Sequence, residues 1–130
     1  MPIPPQQSEE TDRFIEVVFP QHLNHHGTLF GGEALRMMGT TAFVTATRHS
    51  RRTMVLVGVE NVDFDAPVRQ GEIVEIVTRV AKVGRTSVEI AIEMVSEELL
   101  SGEQRRCGSG SFTFVAVDEA GQSIPIGDGD

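Results

Sequence analysis

The chain has 130 residues, a formal net charge of −8 and 39% hydrophobic residues, the size and composition of one globular domain. The acidic balance argues against a nucleic-acid partner and against binding to an anionic membrane surface. Cys107 is the single cysteine, so no internal disulfide can form, and we interpret it as a small strand residue. The chain contains no run of 18 apolar residues and its first ten residues lack the pattern of a secretory signal, so a cytoplasmic protein is expected.

The first part of the chain predicts a short strand and one long helix. Residues 1–12 are rich in proline and acidic side chains and are expected to form a flexible arm. Residues 13–19 are rich in β-branched and aromatic side chains, which predicts a strand. After a polar loop, residues 29–48 predict the helix. Its apolar stripe recurs at steps of three and four and consists of Leu35, Met38, Ala42 and Ala46, widened by Phe43.

The rest of the chain predicts four antiparallel strands, at about residues 53–64, 73–83, 88–94 and 105–117. The first of these is apolar on both faces in its early half, which predicts a central position in the sheet. Short connections favour pairing between strands that are neighbours in sequence.

A single domain is therefore expected over residues 13–119, followed by a flexible or loosely docked tail at residues 120–130. Gly108 and Gly110 predict a bulge or a bend in the last strand. One helix can cover only one face of such a sheet, so an oligomer is expected.

Glycines crowd the start of the predicted helix, at Gly27, Gly31 and Gly32. The first N–H groups of a helix have no helical partner, and the helix dipole is positive at that end. A ligand placed there would meet free amide donors, so the sequence predicts the functional region at this point.

The loop and helix start, N-H-H-G-T-L-F-G-G-E-A-L-R-M-M, resemble the signature of hotdog-fold acyl-CoA thioesterases, in particular the YciA-like and brain acyl-CoA hydrolase group. Three later segments match that group in the same order: V-D-F-D-A-P-V-R-Q-G-E, K-V-G-R-T-S-V-E-I and S-F-T-F-V-A-V. The resemblance covers residues 14–117. It implies an α+β hotdog fold, in which a five- or six-stranded antiparallel sheet wraps a long central helix. It also implies a homodimer with two sites at its interface, often built into a hexamer.

The activity that the resemblance implies is hydrolysis of acyl-CoA to a free fatty acid and coenzyme A, with no cofactor beyond the coenzyme A of the substrate. In the family, backbone N–H groups at the helix start polarise the thioester carbonyl, and by motif match these belong to Gly31 and Gly32. An amide side chain in the preceding loop holds water or the carbonyl, and Asn24 occupies that position. The alternatives are that the glycines permit close helix–strand contact and that Asn24 forms a turn.

The catalytic carboxylate of the family lies eight residues after the first helix glycine, where this chain has Gly39. Three explanations stay open. The chain binds acyl-CoA or an acyl carrier without hydrolysis, the carboxylate was removed by design, or another group such as Glu33 has taken its place. Glu33 lies about 1.7 helical turns before Gly39 and so points to a different side of the helix. A hydratase of the same fold would need a paired histidine and acid beside the helix, and that spacing is not found.

Cations and histidines complete the set of candidate site residues. The family's hairpin contacts the coenzyme A nucleotide, and this role transfers to Gly84, Arg85, Thr86 and Ser87. Two cations are added because coenzyme A carries phosphates, namely Lys82 beside the hairpin turn and Arg48 at the end of the predicted helix. Solubility is the alternative role for these cations. The histidines at positions 22, 25 and 26 lie close together but lack the ligand spacing of a zinc site, so no metal is expected. His26, beside Gly27, is the histidine expected to face the thioester.

Overall fold

The computed structural model describes residues 11–126 and shows one long helix packed on a five-stranded antiparallel sheet, as predicted. The elements, in chain order, are β1 (Thr11–Val17), a 3₁₀ turn (Pro20–His22), α1 (Gly31–Ser50), β2 (Thr53–Phe64), β3 (Ile73–Val83), β4 (Ser87–Glu97) and β5 (Gln104–Val117). None of the helices in residues 11–126 combines the length and apolar character that a membrane crossing needs.

Helix α1 begins and ends two residues later than predicted. Hydrogen bonds from Leu29 and Phe30 to carbonyl groups outside the helix explain the later start. The N–H of Leu29 donates to the Val68 carbonyl and the N–H of Phe30 donates to the His22 carbonyl, both across the loop. The first helical bond then runs from Ala34 N to Phe30 O, at 3.0 Å. At the other end, Arg51 adopts the left-handed conformation with φ of 55° and closes the helix.

The face of α1 that the sheet buries differs from the predicted stripe. It consists of Ala34, Met37, Met38, Thr41, Ala42, Thr45 and Ala46. The prediction is wrong for Leu35 and Phe43, which are 38% and 45% exposed. They lie on the helix side that the sheet of the same chain leaves open.

Strand β2 lies at an edge of the sheet, because the strand order is β1-β3-β4-β5-β2. The prediction of a central position is therefore wrong. Pairing between sequence neighbours is confirmed for β3, β4 and β5, but β2 crosses the sheet to pair with β5 instead of β3. The apolar pattern on both faces of β2 therefore does not come from burial on both faces within this sheet. Several of its hydrophobic side chains are exposed in the single chain, namely Val55, Leu56, Val57, Val59 and Phe64.

The predicted irregularity in β5 is confirmed. Met94 pairs with Gly108 and Val95 pairs with Arg106, so Cys107 is the extra residue of a bulge. A Cβ on Gly108 would come within 3.2 Å of the Asp63 carbonyl oxygen, which explains the glycine by the close approach of β2.

The ends of the domain extend beyond the predicted bounds of 13 and 119. β1 already begins at Thr11, inside the predicted arm. After β5, Ile124 N donates to Ala116 O and Ile126 N donates to Arg85 O, each at 2.9 Å. Ile126 is 8% exposed and joins the core, so residues 120–126 follow the docked alternative of the prediction and not the flexible one. Most of the predicted arm and the last four residues lie outside the described part of the chain.

Candidate functional site

The start of α1 presents backbone amides that the helix does not use. Since the first helical bond is donated by Ala34, the N–H groups of Gly31, Gly32 and Glu33 precede any helical acceptor. Phe30, the N-cap residue, offers no side-chain cap. The two glycines differ sterically. A Cβ on Gly32 would meet the Phe30 ring at 2.5 Å, whereas a Cβ on Gly31 would meet the Phe64 ring at an ordinary 3.5 Å.

A cavity of about 290 Å³ opens beside these amides. We call it the helix-start cavity. It is lined by Leu29, Gly31, Ala34, Phe64, Asp65, Ala66, Pro67, Val68, Met94 and Cys107. Cys107 is 1% exposed, and burial raises the pKa of its thiol to about 11. The thiol is therefore protonated near neutral pH and acts as an apolar wall instead of a nucleophile. The sequence analysis placed Cys107 in a strand but did not connect it to a cavity.

Asn24 organises the loop that leads to the helix. Its side-chain Oδ1 accepts hydrogen bonds from the N–H groups of His26, at 2.8 Å, and Thr28, at 3.2 Å. Its Nδ2 donates to the Thr28 hydroxyl at 3.1 Å. The turn-forming role that the sequence left open is thus present. Nδ2 carries two N–H groups, so it has a second donor besides the one that bonds Thr28.

Glu33 lies on another side of the helix from Gly39 and is held by an ion pair. Its carboxylate accepts a hydrogen bond from Arg36 Nε at 2.8 Å, and Arg36 also reaches Glu16 at 3.4 Å. The bond from Glu33 raises the pKa of the Arg36 guanidinium above its ordinary value. Within one chain, the Glu33 carboxylate therefore pairs with the Arg36 cation.

Gly39 lies in an open apolar groove of about 610 Å³ between α1 and the β2–β5 edge of the sheet. We call it the helix groove. Its lining consists of Leu35, Arg36, Gly39, Thr40, Phe43, Leu56, Val59, Phe112 and Phe114. The partly exposed helix residues Leu35 and Phe43 thus line the same groove as Leu56 and Val59 of β2. Sequence reasoning missed Leu56 and Val59 as groove residues, although their place in a strand that is apolar on both faces was a usable signal.

The histidines of the loop do not converge on one point. His22 Nδ1 accepts a hydrogen bond from Phe19 N at 3.0 Å and so closes the short 3₁₀ turn. The rings of His25 and His26 stack at a centroid distance of 4.1 Å, and both side chains are exposed. Among the described residues, no group of three or more histidine, cysteine or acidic side chains is placed to hold a metal ion.

The candidate coenzyme A residues lie at the other end of the domain. Thr53, just after the helix, pairs with Val117, and Ser87 pairs with Val115, so the helix C-terminus and the β3–β4 hairpin share one end of the sheet. Lys82, Gly84 and Arg85 of this hairpin are exposed, and Thr86 and Ser87 are partly buried. Arg48 forms an ion pair with Asp12 of the same chain.

One chain therefore separates the predicted site into two halves. Asn24, His26, Gly31 and Gly32 lie at the start of a 20-residue helix, which is about 30 Å long at 1.5 Å per residue. Arg48 and the hairpin lie near its far end, and Gly39 lies between them.

Comparisons with known proteins identify the family. A family model described as the thioesterase superfamily matches residues 26–103. An uncharacterised acyl-CoA thioester hydrolase of Bacillus subtilis is 36% identical over 109 residues, which make up 84% of this chain and 63% of the relative. The chain thus spans just under two thirds of the length of that curated relative.

Two solved structures add detail. An acyl-CoA thioesterase described as apo-hexameric has a TM-score of 0.86 and 34% identity, covering 88% of this chain and 74% of that one. An acyl-CoA hydrolase of Staphylococcus aureus, solved with butyryl coenzyme A, coenzyme A and coenzyme A disulfide, has a TM-score of 0.83 and 29% identity, covering 88% and 70%. It was also solved as variants in which an aspartate, a threonine or an asparagine is replaced by alanine. The chain belongs to the thioesterase superfamily and has the hotdog fold.

Proposed function

We propose that the protein binds acyl-CoA thioesters and hydrolyses them to a carboxylic acid and coenzyme A. The observation that carries this proposal is the start of α1 in a member of the thioesterase superfamily. The amides of Gly31 and Gly32 are unused there, and Gly31 lines an apolar cavity. Amide donors aimed at a carbonyl oxygen stabilise the negative charge that develops there when water attacks. Water adds to the thioester carbon, and the coenzyme A thiolate then leaves.

The substrate site needs two copies of the chain. The amides at the helix start and the cations at the far end are separated by most of a helix about 30 Å long. A homodimer with a two-fold axis and antiparallel helices brings the start of one helix towards the far end of the other. The exposed apolar face of β2 supports such a contact. In that arrangement Arg85 and Lys82 of one copy would bind the nucleotide phosphates of a thioester held at Gly31 of the other.

The position of Gly39 bears directly on the hydrolytic step. In the Staphylococcus aureus hydrolase, the replaced asparagine and aspartate are 15 positions apart. Asn24 and Gly39 have the same spacing here. The replaced threonine follows the aspartate by 17 positions, and the residue at that distance from Gly39 is Leu56. Gly39 and Leu56 line the same groove, which supports the correspondence, since chain positions far apart in sequence meet there.

A second candidate function follows from these two residues. A groove with a glycine and a leucine where a relative has an aspartate and a threonine contains no carboxylate at that point to activate water. That observation favours a protein that binds acyl-CoA, or an acyl group on a carrier, and hydrolyses it slowly or not at all. Both candidates share the same binding site and differ only in the chemical step.

The test compares hydrolysis of a panel of acyl-CoA thioesters by the unmodified chain, by Gly39→Asp and by Gly39→Asp combined with Leu56→Thr. Gly39→Ala is the matched control, because it adds a side chain without a carboxylate. A general base contributes roughly 10²- to 10⁴-fold to a rate. If the aspartate variants gain on that scale and the alanine variant does not, the site is that of a thioesterase lacking its carboxylate.

Two other results would redirect the assignment. Rapid hydrolysis by the natural sequence would show that a different base acts, with Glu33 of the partner copy and His26 as the next residues to replace. If no variant hydrolyses the thioesters but all bind them, the binding function is the correct one. If none binds coenzyme A thioesters, the proposed function is wrong in both forms.

A further inference from the structure

We infer that the helix-start cavity holds the acyl chain of the substrate and that Ala66, Met94 and Cys107 set the chain length. The inference rests on the proposed function and goes beyond it, because it assigns the substrate class and the residues that select it. The predicted class is acyl chains of short or medium length.

The inner wall of the cavity has the character of an acyl pocket. Ala34, Val68, Met94 and Cys107 are between 1% and 3% exposed and offer carbon and sulfur to the cavity. Methionine and cysteine side chains are polarisable and pack well against flexible apolar groups. The protonated state of the Cys107 thiol keeps this wall free of charge near neutral pH.

The backbone around the cavity is hydrogen-bonded within the protein. Asp65 N donates to Cys107 O and Leu29 N donates to Val68 O, each at 2.8 Å. The acidic side chain of the lining, Asp65, is 40% exposed and lies 3.6 Å from Arg106, so it belongs to the solvent side. These backbone groups are therefore already paired, and the unused Gly31 amide of the lining is left for the carbonyl oxygen of the substrate.

Gly31 connects this cavity to the chemistry. It lines the cavity and also contributes one of the unused amides of the helix start. In a thioester the acyl chain is bonded to the same carbon as the carbonyl oxygen. An oxygen bound by the Gly31 amide therefore places the first methylene groups at the mouth of the cavity.

The helix groove is less suited to this role. Its lining includes Leu35, Phe43, Leu56 and Val59, which are 38% to 45% exposed, so a single chain does not enclose it. The groove also holds the Gly39 position, where water has to be activated if the proposed chemistry is correct. The helix-start cavity, in contrast, has a closed inner wall that can measure a chain.

The volume of the cavity limits the chain length. At about 30 Å³ for each water-sized group, roughly the size of a methylene, the cavity of about 290 Å³ has room for at most about ten carbons, and for fewer because part of it opens to solvent. Each methylene buried there is expected to raise the affinity about fourfold, from about 0.8 kcal/mol per group. The gain should stop when the chain reaches the wall formed by Met94 and Cys107.

The experiment measures dissociation constants of free coenzyme A and of non-hydrolysable thioether analogues of acyl-CoA with 2 to 16 carbons. Ala66→Phe narrows the cavity at a partly buried loop position, and Cys107→Ala widens it at the wall. Val59→Phe is the matched control, because it adds bulk of the same kind to the helix groove. Thermal unfolding of each variant shows that it is folded, and sedimentation analysis shows that Val59→Phe, a change on β2, keeps the oligomeric state.

The expected result is an affinity that rises with chain length and then levels off in the natural sequence. Ala66→Phe should move that limit to chains about two or three carbons shorter, and Cys107→Ala to chains about one carbon longer. Val59→Phe should leave the limit in place, and affinity for free coenzyme A should stay the same in all of them. A limit that shifts in Val59→Phe but in neither cavity variant would overturn the inference and place the acyl chain in the groove. Binding of coenzyme A with no dependence on chain length overturns it as well, while the proposed nucleotide site stands. Absence of any binding overturns the proposed function together with the inference.

Discussion

A Cβ atom on Gly39 would lie 3.5 Å from Cε2 of Phe112, an ordinary van der Waals distance. The fold therefore has room for a side chain at this point of the helix, and packing does not require the glycine. Glycine in the middle of a helix is unfavourable relative to alanine because it loses more backbone freedom on folding. The position proposed to bear on catalysis is thus one where the present residue is also expected to lower stability.

Gly39→Ala should raise the free energy of unfolding by about 0.5–1 kcal/mol, since the added Cβ fits and the helix interior gains propensity. Urea unfolding measures this. Gly108→Ala is the control with the opposite sign, because its Cβ would press against the Asp63 carbonyl oxygen at 3.2 Å. If Gly39→Ala is destabilising, the room beside Phe112 is smaller than the structure shows.

The two roles of Asn24 can be separated by substitution. Asn24→Ala removes the acceptor for the N–H groups of His26 and Thr28, and should cost about 1–2 kcal/mol of stability. Asn24→Asp keeps an oxygen acceptor and should preserve the loop, with a change within about 0.5 kcal/mol. It removes the Nδ2 donors, however. If hydrolysis or binding falls in the aspartate variant at unchanged stability, Asn24 acts on the substrate, and if neither changes, its role is confined to the turn.

Asp12 connects the first strand to the second half of the helix. Its carboxylate accepts a hydrogen bond from the Thr45 hydroxyl at 2.6 Å and pairs with Arg48, and Thr45 in turn contacts the Thr78 hydroxyl. Asp12→Ala should cost about 1–3 kcal/mol, because it removes the acceptor of a buried hydroxyl. Arg48→Met should cost less than about 1 kcal/mol, since the Arg48 side chain is 60% exposed. If urea unfolding shows equal losses of stability for Asp12→Ala and Arg48→Met, the ion pair matters more than the buried hydrogen bond.

The edge strand β2 should form the main contact between copies. Val57 is 58% exposed at an irregularity of the β2–β5 register, and Val57→Glu would place an unpaired carboxylate in that contact. Sedimentation analysis should then show a monomer where the natural sequence forms a dimer. Ile15→Glu is the matched control, because Ile15 is 60% exposed on β1 at the opposite edge of the sheet. Dissociation by Ile15→Glu alone would place the contact on β1.

Cys107 should make stability depend on pH in the alkaline range. Burial raises the pKa of its thiol from 9.0 to about 11, so the folded state holds this proton more tightly than the unfolded state does. Its contribution is therefore complete below about pH 9 and is lost as the pH rises towards 11. Between these two pH values, the midpoint temperature of thermal unfolding should fall more steeply with pH for the unmodified chain than for Cys107→Ala. The chain has no tyrosine, so no phenol titrates in this window. Parallel curves for the two proteins would contradict the shift.

The elements of this protein could be predicted from local patterns. Repetition of apolar residues at steps of three and four predicted the helix, and alternation in residues such as Val88, Ile90 and Ile92 predicted a strand with one buried face. The glycines of β5 predicted its bulge, in which Cys107 is the extra residue. These features depend on backbone preference and on side chains close in sequence, so the sequence contains the information.

The arrangement of those elements could not be predicted in the same way. An apolar strand pattern does not distinguish a buried central strand from an edge strand whose face awaits a partner, and β2 is of the second kind. For the same reason Leu35 and Phe43 were assigned to the core. Their apolar character is real, but the sheet of their own chain covers them only in part and leaves them 38% and 45% exposed.

By itself, the sequence determined the helix, the strands, the glycine-rich helix start and the absence of a carboxylate at Gly39. Only the tertiary structure decided that Gly31 and Cys107 share a cavity, that Gly39 and Leu56 share a groove, and that the hairpin at Arg85 lies far from the helix start. The physical reason is that hydrogen-bonding and helix propensities act between residues close in sequence. Cavities and grooves form where the packing of a helix on a sheet brings distant residues together, and the order of the strands sets which residues these are.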